Sequence, residues 1–455
     1  MGKTKPGKDG FPPGPKTLPL LGSMVDFGSN DAFLAKWGEL SREFGSVFSI
    51  KTEGRWVVFV TGWEAAREVL VKKGLDFCDK PRYSSSERHN PQHKGIFEKP
   101  CNDQWKSQRS FAHTTLRGFG FGKVSLEGTI SQEVSELIKK LKSHGSQPLH
   151  PRDLLGAHTA NILFSITFGG RYAHDDPEFQ RLLVYYRSLS MNYGSSRWSS
   201  DSDKAARGLE KFLTGQIEKH AGSREAGGEP RDFIDAYLAK IDEDPTGFTR
   251  DELAYVLVDL IGAGVESVSF TLLWALVYMS IHLDVQDKVH QEIERVIGDR
   301  DIKWEDRNSL PYSQATLMEI QRSASLSYMV VRAAYTDSTI FDYKIPQGTE
   351  VWVNIWSVHH DPAVWTDDTE TFNPARFLNE EGTEMVRHDG FIPFSAGRRG
   401  CMGESLGKME LFIFYISLMK HFRVETPPGE APPSTEGILD FTRNPKPFKV
   451  RFVPR

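Results

Sequence analysis

Hydrophobic spacing typical of helices fills the middle of the chain. In SLEGTISQEVSELIKKLKSHG, residues 125–145, apolar residues recur three and four positions apart, and the segment ends at a glycine. Residues 105–325 are mostly of this kind. The apolar pattern from Asp251 to Leu283 predicts one helix of about 33 residues, roughly 50 Å long, because each residue adds ~1.5 Å. A final amphipathic helix is predicted from about Gly403 to Phe422.

Strand patterns are shorter and lie near the two ends of the chain. Residues 46–60 alternate apolar and polar side chains around Gly54, which predicts a β-hairpin, and residues 349–354 predict a short strand. The polar segment 190–204 is either an exposed loop or the remnant of a shortened one. Because no linker divides the chain, we expect a polar leader over residues 1–10, of cloning origin, and a single catalytic domain over 11–455. The expected fold class is mainly α with a smaller β portion.

Composition narrows the class of protein. The 455 residues are 39% apolar and 26% charged, with 56 basic and 61 acidic side chains and a net charge of −5. These values are typical of a folded protein, and without a basic excess they do not favour nucleic-acid binding. No uninterrupted apolar stretch reaches the ~18 residues of a membrane-spanning helix, and residues 268–281 are interpreted as a core helix. The chain has only three cysteines, too few for a disulfide-stabilised scaffold.

One of these cysteines stands in a glycine-rich loop just before the final helix. Cys401 follows FSAGRRG, and glycines at 397, 400 and 403 permit tight turns there. A thiolate at a helix N-terminus is stabilised by backbone amides and by the positive end of the helix dipole. An ordinary buried cysteine is the alternative interpretation of a lone residue of this type.

The spacing F-x-x-G-x-R-x-C-x-G resembles the haem-binding loop of the cytochrome P450 family. The resemblance implies a cytochrome P450 fold with haem b between the long central helix and the helix after the cysteine loop. It implies that Cys401 is the iron ligand. Further cofactor contacts are expected from the remaining loop residues Phe394, Gly397, Arg399 and Gly403.

Two further motifs strengthen the resemblance. Glu319 and Arg322 lie three residues apart, as on one helix face, and Arg376 follows in FNPARF; they resemble the family's buried network that supports the haem loop. The pair Trp105 and Arg109 resembles the family's W-x-x-x-R element, whose side chains meet a haem propionate. Arg332 occupies a position where relatives place a propionate-binding cation.

The sequence AGVES interrupts the apolar pattern of the long helix. Gly264 costs roughly 1 kcal/mol relative to alanine inside a helix, which indicates that space is needed there. The family has A-G-x-[DE]-[TS] at this place, which implies that Ala263 and Gly264 flank bound O2 and that Glu266 and Ser267 deliver protons. Alternatively, Ser267 bonds only the carbonyl oxygen four residues earlier and Glu266 forms a structural ion pair.

The resemblance also implies partners. The chain has no dinucleotide-binding motif, so electrons from NADPH would arrive through cytochrome P450 reductase, with cytochrome b5 as a second donor. The expected docking surface for an acidic partner is basic. Its expected members are Arg117, Lys123, Arg398, Lys408 and Lys420.

Segments such as IWSVHHDPAVW resemble microsomal family 2 of the 2U type, which implies hydroxylation of fatty acids, with sterols or xenobiotics next. Residence on the cytosolic face of the endoplasmic reticulum membrane is implied for the native protein, whereas this chain lacks the hydrophobic anchor and is expected to be soluble or peripheral. Substrate contacts are expected from Met329, Val330, Phe441 and Thr442. The alternatives are a haem-thiolate isomerase or lyase acting on hydroperoxides, and a non-catalytic haem sensor.

Overall fold

A computed structural model shows the fold and describes residues 10–18, 22–23, 25–28, 30–52, 54–82, 90–120, 124–192, 200–225, 227–366 and 368–455. The expected fold class is confirmed, since 54% of the chain is helix and 12% is strand. Residue contacts separate the chain into two compact units. One comprises residues 1–82, 318–401 and 437–444, and the other comprises 83–317, 402–436 and 445–455. The single domain over 11–455 stays a prediction, and residues 1–9 of the predicted leader lie outside the described residues.

The strands form small sheets, in line with their short sequence patterns. They are β1 (Thr17–Leu18), β2 (Gly22–Ser23), β3 (Val47–Thr52), β4 (Arg55–Thr61), β5 (Met329–Ala333), β6 (Ser338–Ile340), β7 (Tyr343–Ile345), β8 (Glu350–Asn354), β9 (Phe422–Glu425), β10 (Gly437–Leu439), β11 (Arg443–Pro445) and β12 (Arg451–Pro454). The largest sheet of the first unit has the order β3-β4-β8-β5. Strands β3 and β4 pair antiparallel as the predicted hairpin, with Val47 opposite Val60, and β8 confirms the strand predicted at 349–354.

Alternation along β4 explains why this sheet is buried on both faces. Val58 and Val60 pack into one hydrophobic cluster with Leu70 and Val353. The intervening Phe59 packs into a second cluster with Trp37, because successive side chains of a strand point to opposite faces. The sheet is therefore held by apolar side chains on each side.

Helices dominate the rest of the described chain. The α-helices are Asn30–Phe44, Trp63–Arg67, Asp103–Gly118, Val124–His144, Arg152–Phe168, Pro177–Asn192, Ser200–Ser223, Phe233–Glu243, Arg250–Ile281, Leu283–Val296, Pro311–Ala324, Ile355–His359, Pro362–Trp365 and Glu404–His421. A π-helical turn continues the second of these over Glu68–Lys72, and 3₁₀ turns occupy Trp304–Ser309 and Pro374–Phe377. The predicted final helix is thus confirmed within two residues at its ends.

The central helix, Arg250–Ile281, is 32 residues long and begins where the Thr249 side chain accepts a hydrogen bond from the Glu252 amide. It ends at Ile281, so the predicted long helix is confirmed, with its start shifted by one residue and its end by two. The helix is long and apolar enough to cross a membrane, yet 67% of its most apolar window is buried inside the protein. That burial is typical of a core helix.

The polar segment predicted as a loop at 190–204 is largely helical at both ends. The helix Pro177–Asn192 includes its first residues, and the helix Ser200–Ser223 includes its last. The residues between these helices, 193–199, lie outside the described part of the chain.

Candidate active site

The loop that carries Cys401 is built from backbone hydrogen bonds. The Ser395 amide donates to the Ile392 carbonyl oxygen at 2.9 Å, the Gly400 amide donates to Gly397 at 3.0 Å, and the Cys401 amide donates to Phe394 at 2.9 Å. These bonds fold the segment back on itself. The backbone of the loop therefore contributes to the position of the sulfur.

Gly397 is required by a close backbone approach. Its φ is +75°, and a Cβ atom built on it would lie 1.7 Å from the Leu70 carbonyl oxygen. Leu70 belongs to the π-helical turn Glu68–Lys72. Neither the backbone conformation nor the available space accepts a larger residue.

The Cys401 side chain is exposed and takes part in no disulfide. The helix Glu404–His421 starts three residues later, and its N-cap, Gly403, offers no capping side chain. Unpaired amides at a helix N-terminus favour a nearby negative charge. The local structure thus favours a thiolate at this position.

Two of the arginines expected to contact the cofactor lie in the unit that carries the loop, Arg399 in the loop itself and Arg332 in β5. Arg399 donates through Nε to the Cys78 carbonyl oxygen. Arg332, in β5, is buried. Its guanidinium donates to the Val331 carbonyl oxygen at 3.0 Å and lies 3.5 Å from the carbonyl oxygen of Arg399. The guanidinium of Arg332 is thereby attached to the cysteine loop through the backbone.

Glu319 and Arg322 form a buried, bidentate ion pair. The Nε–Oε2 distance is 2.7 Å and the Nη2–Oε1 distance is 2.8 Å, and both side chains have zero exposure. Their spacing on the helix Pro311–Ala324 brings the two groups to one face. Removal of one partner from such a pair costs about 3–5 kcal/mol, because the other charge stays buried.

Arg376 approaches the same carboxylate from the 3₁₀ turn Pro374–Phe377. Its Nε lies 3.6 Å from Glu319 Oε1, and the Asn373 amide donates to that oxygen at 2.8 Å. Arg376 also donates to the carbonyl oxygens of Trp365 and Thr371. The three residues singled out in the sequence therefore meet at one carboxylate.

His359 connects this ion pair to the cysteine loop, a connection that the sequence analysis missed. Its carbonyl oxygen accepts from Arg322 Nη1 at 2.8 Å, and its Nε2 accepts from the Ile392 amide at 3.2 Å. Its Nδ1 lies 2.8 Å from Ser325 Oγ, so this nitrogen carries the proton. Burial lowers the pKa of His359 well below its ordinary value, which keeps the ring neutral. The only signal was a histidine inside the apolar segment IWSVHH.

In the second unit, the middle of the central helix is accessible although the turns around it are buried. Ala263 is exposed and Glu266 and Ser267 are half-buried, whereas Val256, Leu257 and residues 268–280 are buried. Ser267 Oγ donates to the Ala263 carbonyl oxygen at 2.8 Å. This is the bond of the alternative interpretation, and it holds the hydroxyl against its own helix.

A neighbouring helix explains Gly264. A Cβ atom at this position would lie 2.3 Å from Leu163 Cδ1 on the helix Arg152–Phe168. That helix also bonds the central helix, because Thr159 Oγ1 donates to the Val265 carbonyl oxygen at 3.2 Å. The space predicted at Gly264 is therefore occupied by a packed side chain.

Trp105 and Arg109 lie one turn apart on the helix Asp103–Gly118. The Arg109 guanidinium carbon is 5.8 Å from the centre of the Trp105 ring. Asn102 caps this helix by accepting from the Trp105 amide at 2.8 Å. Trp105 is buried and Arg109 is half-buried, so of the two side chains the charged one is the more accessible.

The expected substrate contacts lie in different surroundings. Met329 and Val330 are neighbours in β5 and pack against different hydrophobic clusters on the two faces of the sheet, and their contact with a substrate stays a prediction. Phe441 is 47% exposed. Thr442 Oγ1 donates to Asn444 Oδ1 at 2.8 Å.

The expected basic docking residues differ in how much charge they present. Arg117 and Arg398 are exposed. Lys408 is paired with Glu404 at 2.6 Å, and Lys420 donates to the Arg300 carbonyl oxygen at 2.7 Å. Lys123 lies outside the described residues.

Two carboxylates of the central helix bind a preceding segment, which the sequence did not reveal. Glu252 Oε1 accepts from the Gly95 amide and from Lys99 Nζ, both at 2.9 Å. Asp259, two turns later, accepts from the Ile96 amide at 2.6 Å and from the Phe97 amide at 3.0 Å. Loss of hydration raises the pKa of Asp259 to about 7.

The residues present fit a haem with a thiolate ligand. An exposed cysteine sulfur on a loop fixed by its own backbone is the donor that such an iron requires. In the other unit, Ala263 is exposed and Glu266 and Ser267 are half-buried, so this stretch of the central helix is accessible to a group that is not protein. Buried or half-buried arginines are the partners that propionate carboxylates need.

Comparison with known proteins agrees with this fit. A family model described as Cytochrome P450 matches residues 12–452. The chain is 35% identical to Cytochrome P450 2U1 of Mus musculus, over 98% of this chain and 91% of that protein. It is also 35% identical to Cytochrome P450 2D6 of Homo sapiens, over 98% and 94% of the two chains. It therefore belongs to family 2 of the cytochromes P450, haem-thiolate monooxygenases that bind their cofactor through a cysteine.

Proposed function

We propose that this monooxygenase inserts one oxygen atom of O2 into a hydrophobic small molecule, with a long-chain fatty acid as the first candidate and a sterol or xenobiotic as the next. The observation that carries the proposal is the Cys401 loop, in which backbone hydrogen bonds and Gly397 fix the position of an exposed sulfur. Bound haem supplies the activation of O2 after electrons and protons arrive.

Cys401 holds the iron as a thiolate in this proposal. Arg109, Arg332 and Arg399 pair with the propionates, and Trp105 supports Arg109 through the contact of its ring with the guanidinium. Phe394, Gly397 and Gly403 shape the loop around the sulfur. The network of Glu319, Arg322 and Arg376 stabilises the cysteine loop and does not take part in the chemistry.

Ser267 and Glu266 move protons in the accessible stretch of the central helix. In the structure the Ser267 hydroxyl donates to the Ala263 carbonyl oxygen. To give a proton to oxygen, the hydroxyl must rotate away from that carbonyl and be reprotonated from Glu266 or water. A serine rotates more freely than a threonine, because it lacks the methyl group that restricts χ1.

Fatty acids are favoured by sequence segments that resemble the 2U type, such as WALVYMSIHLDVQDKVHQEIERVIG. Overall identity does not decide between substrate classes, since a 2U1 and a 2D6 protein are both 35% identical to the chain. Met329 packs on one face of the sheet and Val330 on the other, so at most one of them contacts the substrate.

Electrons come from NADPH through cytochrome P450 reductase, with cytochrome b5 as a second donor. Arg117 and Arg398 are exposed cations available to an acidic partner. Lys408 contributes less, because Glu404 offsets its charge. Residence in the endoplasmic reticulum membrane is typical of family 2, and we place the native protein at its cytosolic face.

The test is turnover under ¹⁸O2 with reductase and NADPH, offering a fatty acid, a sterol and a drug-like amine in parallel. One ¹⁸O atom per product molecule is expected, with the fatty acid giving most product. A hydroperoxide isomerase would instead convert a fatty-acid hydroperoxide without NADPH and without ¹⁸O in the product. A haem sensor would bind carbon monoxide and form no product. Either of these results would overturn the proposal.

A further inference from the structure

A cluster of histidine and glutamate side chains lies in the second unit and includes none of the residues assigned to the haem chemistry. Glu133 comes from the helix Val124–His144, and His158 comes from the helix Arg152–Phe168. His174 lies in the connection that precedes the helix Pro177–Asn192. The three side chains each bring one potential metal ligand atom within 4.8 Å of the others.

Both imidazole rings face the same carboxylate oxygen. His158 Nδ1 lies 2.8 Å from Glu133 Oε2, and His174 Nε2 lies 3.2 Å from that oxygen without hydrogen-bond geometry. The side chains of Glu133 and His158 have 0% and 1% exposure. The ring centroids of the two histidines are 4.0 Å apart.

Several ring nitrogens of the cluster lack a hydrogen-bond partner. His158 Nε2 and both nitrogens of His174 are buried and make no hydrogen bond to the described residues. Buried polar atoms are nearly always partnered, so such a concentration of orphaned nitrogens needs an explanation. A metal ion beside Glu133 Oε2 would be bound by His158 Nδ1 and His174 Nε2, and it would give the orphaned His174 Nε2 a partner.

The second oxygen of Glu133 is already occupied. Arg171 Nε donates to Oε1 at 2.6 Å, and Arg171 Nη2 donates to Glu136 Oε2 at 2.9 Å. Arg171 orients the carboxylate as an outer-shell partner does, and a metal at Oε2 would replace the hydrogen bond between that oxygen and His158 Nδ1. Glu136 Oε2 is 3.8 Å from His174 Nε2 and can supply a fourth ligand from the exposed side.

The connection that carries His174 is held in place. Asn161 Nδ2 donates to the Tyr172 carbonyl oxygen, and the Tyr172 amide donates back to Asn161 Oδ1, both at 2.9 Å. Since Asn161 is on the helix of His158, the two histidines are fixed relative to one another. The ligand set is therefore preorganised.

In a second cluster of similar composition, both nitrogens of the histidine ring have hydrogen-bond partners. His220 Nδ1 bonds the Gln216 carbonyl oxygen and His220 Nε2 bonds Asp232 Oδ2. Asp235 is held by Arg231 through two hydrogen bonds. Because these partners account for both ring nitrogens, this cluster needs no metal.

We propose that Glu133, His158 and His174 bind one zinc ion, with Glu136 or water completing the coordination. Imidazole nitrogen and carboxylate oxygen are ligands that zinc takes at about 2.0–2.2 Å in tetrahedral geometry. Two such ligands stand roughly 3.3 Å apart, close to the 2.8 Å and 3.2 Å found between the nitrogens and Glu133 Oε2. The ion ties two helices and a connection together, so its role is structural.

The test uses the full chain loaded with haem, stripped with a chelator, dialysed against zinc chloride and then against buffer. Elemental analysis counts zinc separately from iron, so the result does not depend on the proposed oxidation chemistry. One zinc per chain is expected, with a rise in unfolding temperature and a zinc absorption edge typical of two imidazoles. His158→Leu and His174→Phe should each reduce bound zinc at least tenfold.

Two variants serve as controls. His220→Asn alters the satisfied cluster, and His144→Gln alters an exposed histidine on the helix of Glu133; both should keep one zinc per chain. The proposal is overturned if the parent retains no zinc, or if His158→Leu and His174→Phe retain as much as the parent. If only His220→Asn lost zinc, the metal would be bound by the cluster that contains His220, and the proposal would also be overturned. An unchanged haem spectrum in each variant shows that it has folded.

Discussion

At the residue scale, Gly397 shows how one position controls the sulfur-bearing loop. Alanine at this position would have to adopt a φ near +75° and place its Cβ 1.7 Å from the Leu70 carbonyl oxygen. The left-handed conformation alone costs roughly 1–2 kcal/mol, and the overlap adds to it. We expect Gly397→Ala to lower both the unfolding temperature and the haem bound per chain.

Gly382→Ala is the matched control for this substitution. Gly382 has a similar φ of +70°, and a Cβ atom there would meet no atom within 4 Å. The control therefore carries the backbone cost without the overlap. Equal haem content in the two variants would show that the approach of Leu70 to the loop is unimportant.

Ser267 is the residue at which the proposed proton transfer can be adjusted. Ser267→Thr keeps the hydroxyl and restricts its rotation, so we expect a larger share of consumed NADPH to appear as product and less as hydrogen peroxide. Ser267→Ala removes the hydroxyl and should shift the ratio the other way. The measurement is the amount of product formed, of hydrogen peroxide released and of NADPH consumed, all in one assay. An unchanged ratio in both variants would contradict a role of this hydroxyl in proton transfer.

At the scale of elements, His359 joins the helix Pro311–Ala324 to the segment that leads into the cysteine loop. His359→Leu leaves the Ile392 amide without its acceptor, at about 1–3 kcal/mol for a buried group. It also removes one bond of Ser325 Oγ, which still donates to the Arg322 carbonyl oxygen. We expect lower stability, and faster hydrogen exchange at residues 392–401 measured by mass spectrometry.

A substitution of the neighbouring His360 serves as the control for His359→Leu. Its ring stacks on Trp356 and bonds the Trp356 carbonyl oxygen at 2.9 Å. His360→Leu should therefore destabilise the protein without a selective effect on exchange in the loop. If both variants changed exchange at 392–401 equally, His359 would have no special connection to the loop.

Asp259 links the central helix to residues 96–97 and makes stability depend on pH. Because its pKa is raised to about 7 in the folded protein, the folded state keeps a proton that the unfolded state has lost above about pH 4. Its contribution is thus fully present below pH 4 and is lost as pH rises to 7, at up to about 1.4 kcal/mol per pH unit.

The measurement is the free energy of unfolding between pH 4 and 8 in the parent and in Asp259→Asn. The asparagine variant should gain on the parent as pH rises, because it retains an acceptor for the two amides and cannot ionise. Parallel curves for Asp259→Asn would contradict the raised pKa.

At the scale of the whole molecule, the sequence predicted what local spacing encodes. The hairpin, the long helix and the cysteine loop depend on residues close together in the chain, and their patterns were sufficient. The end of the central helix was predicted two residues too late, because the apolar pattern continues past His282, the residue that caps the helix.

Contacts between distant segments could not be predicted from such patterns. Asp259 bonds amides more than 160 residues earlier, and His359 bonds Ile392 from another element. Gly264 was correctly noted as a position that needs space, but the occupant, Leu163, lies about 100 positions away in the chain. The strand β5, which places Met329 and Val330 on opposite faces of the sheet, was not recognised in the sequence.

The central claim is that the Cys401 sulfur is the haem ligand, and the absorption spectrum of the reduced protein with carbon monoxide tests it most directly. A thiolate ligand predicts a strongly red-shifted Soret band in the parent, and its absence in Cys401→Ser at equal haem content. The same red-shifted band in Cys401→Ser, or its absence from the freshly purified parent, would contradict the account.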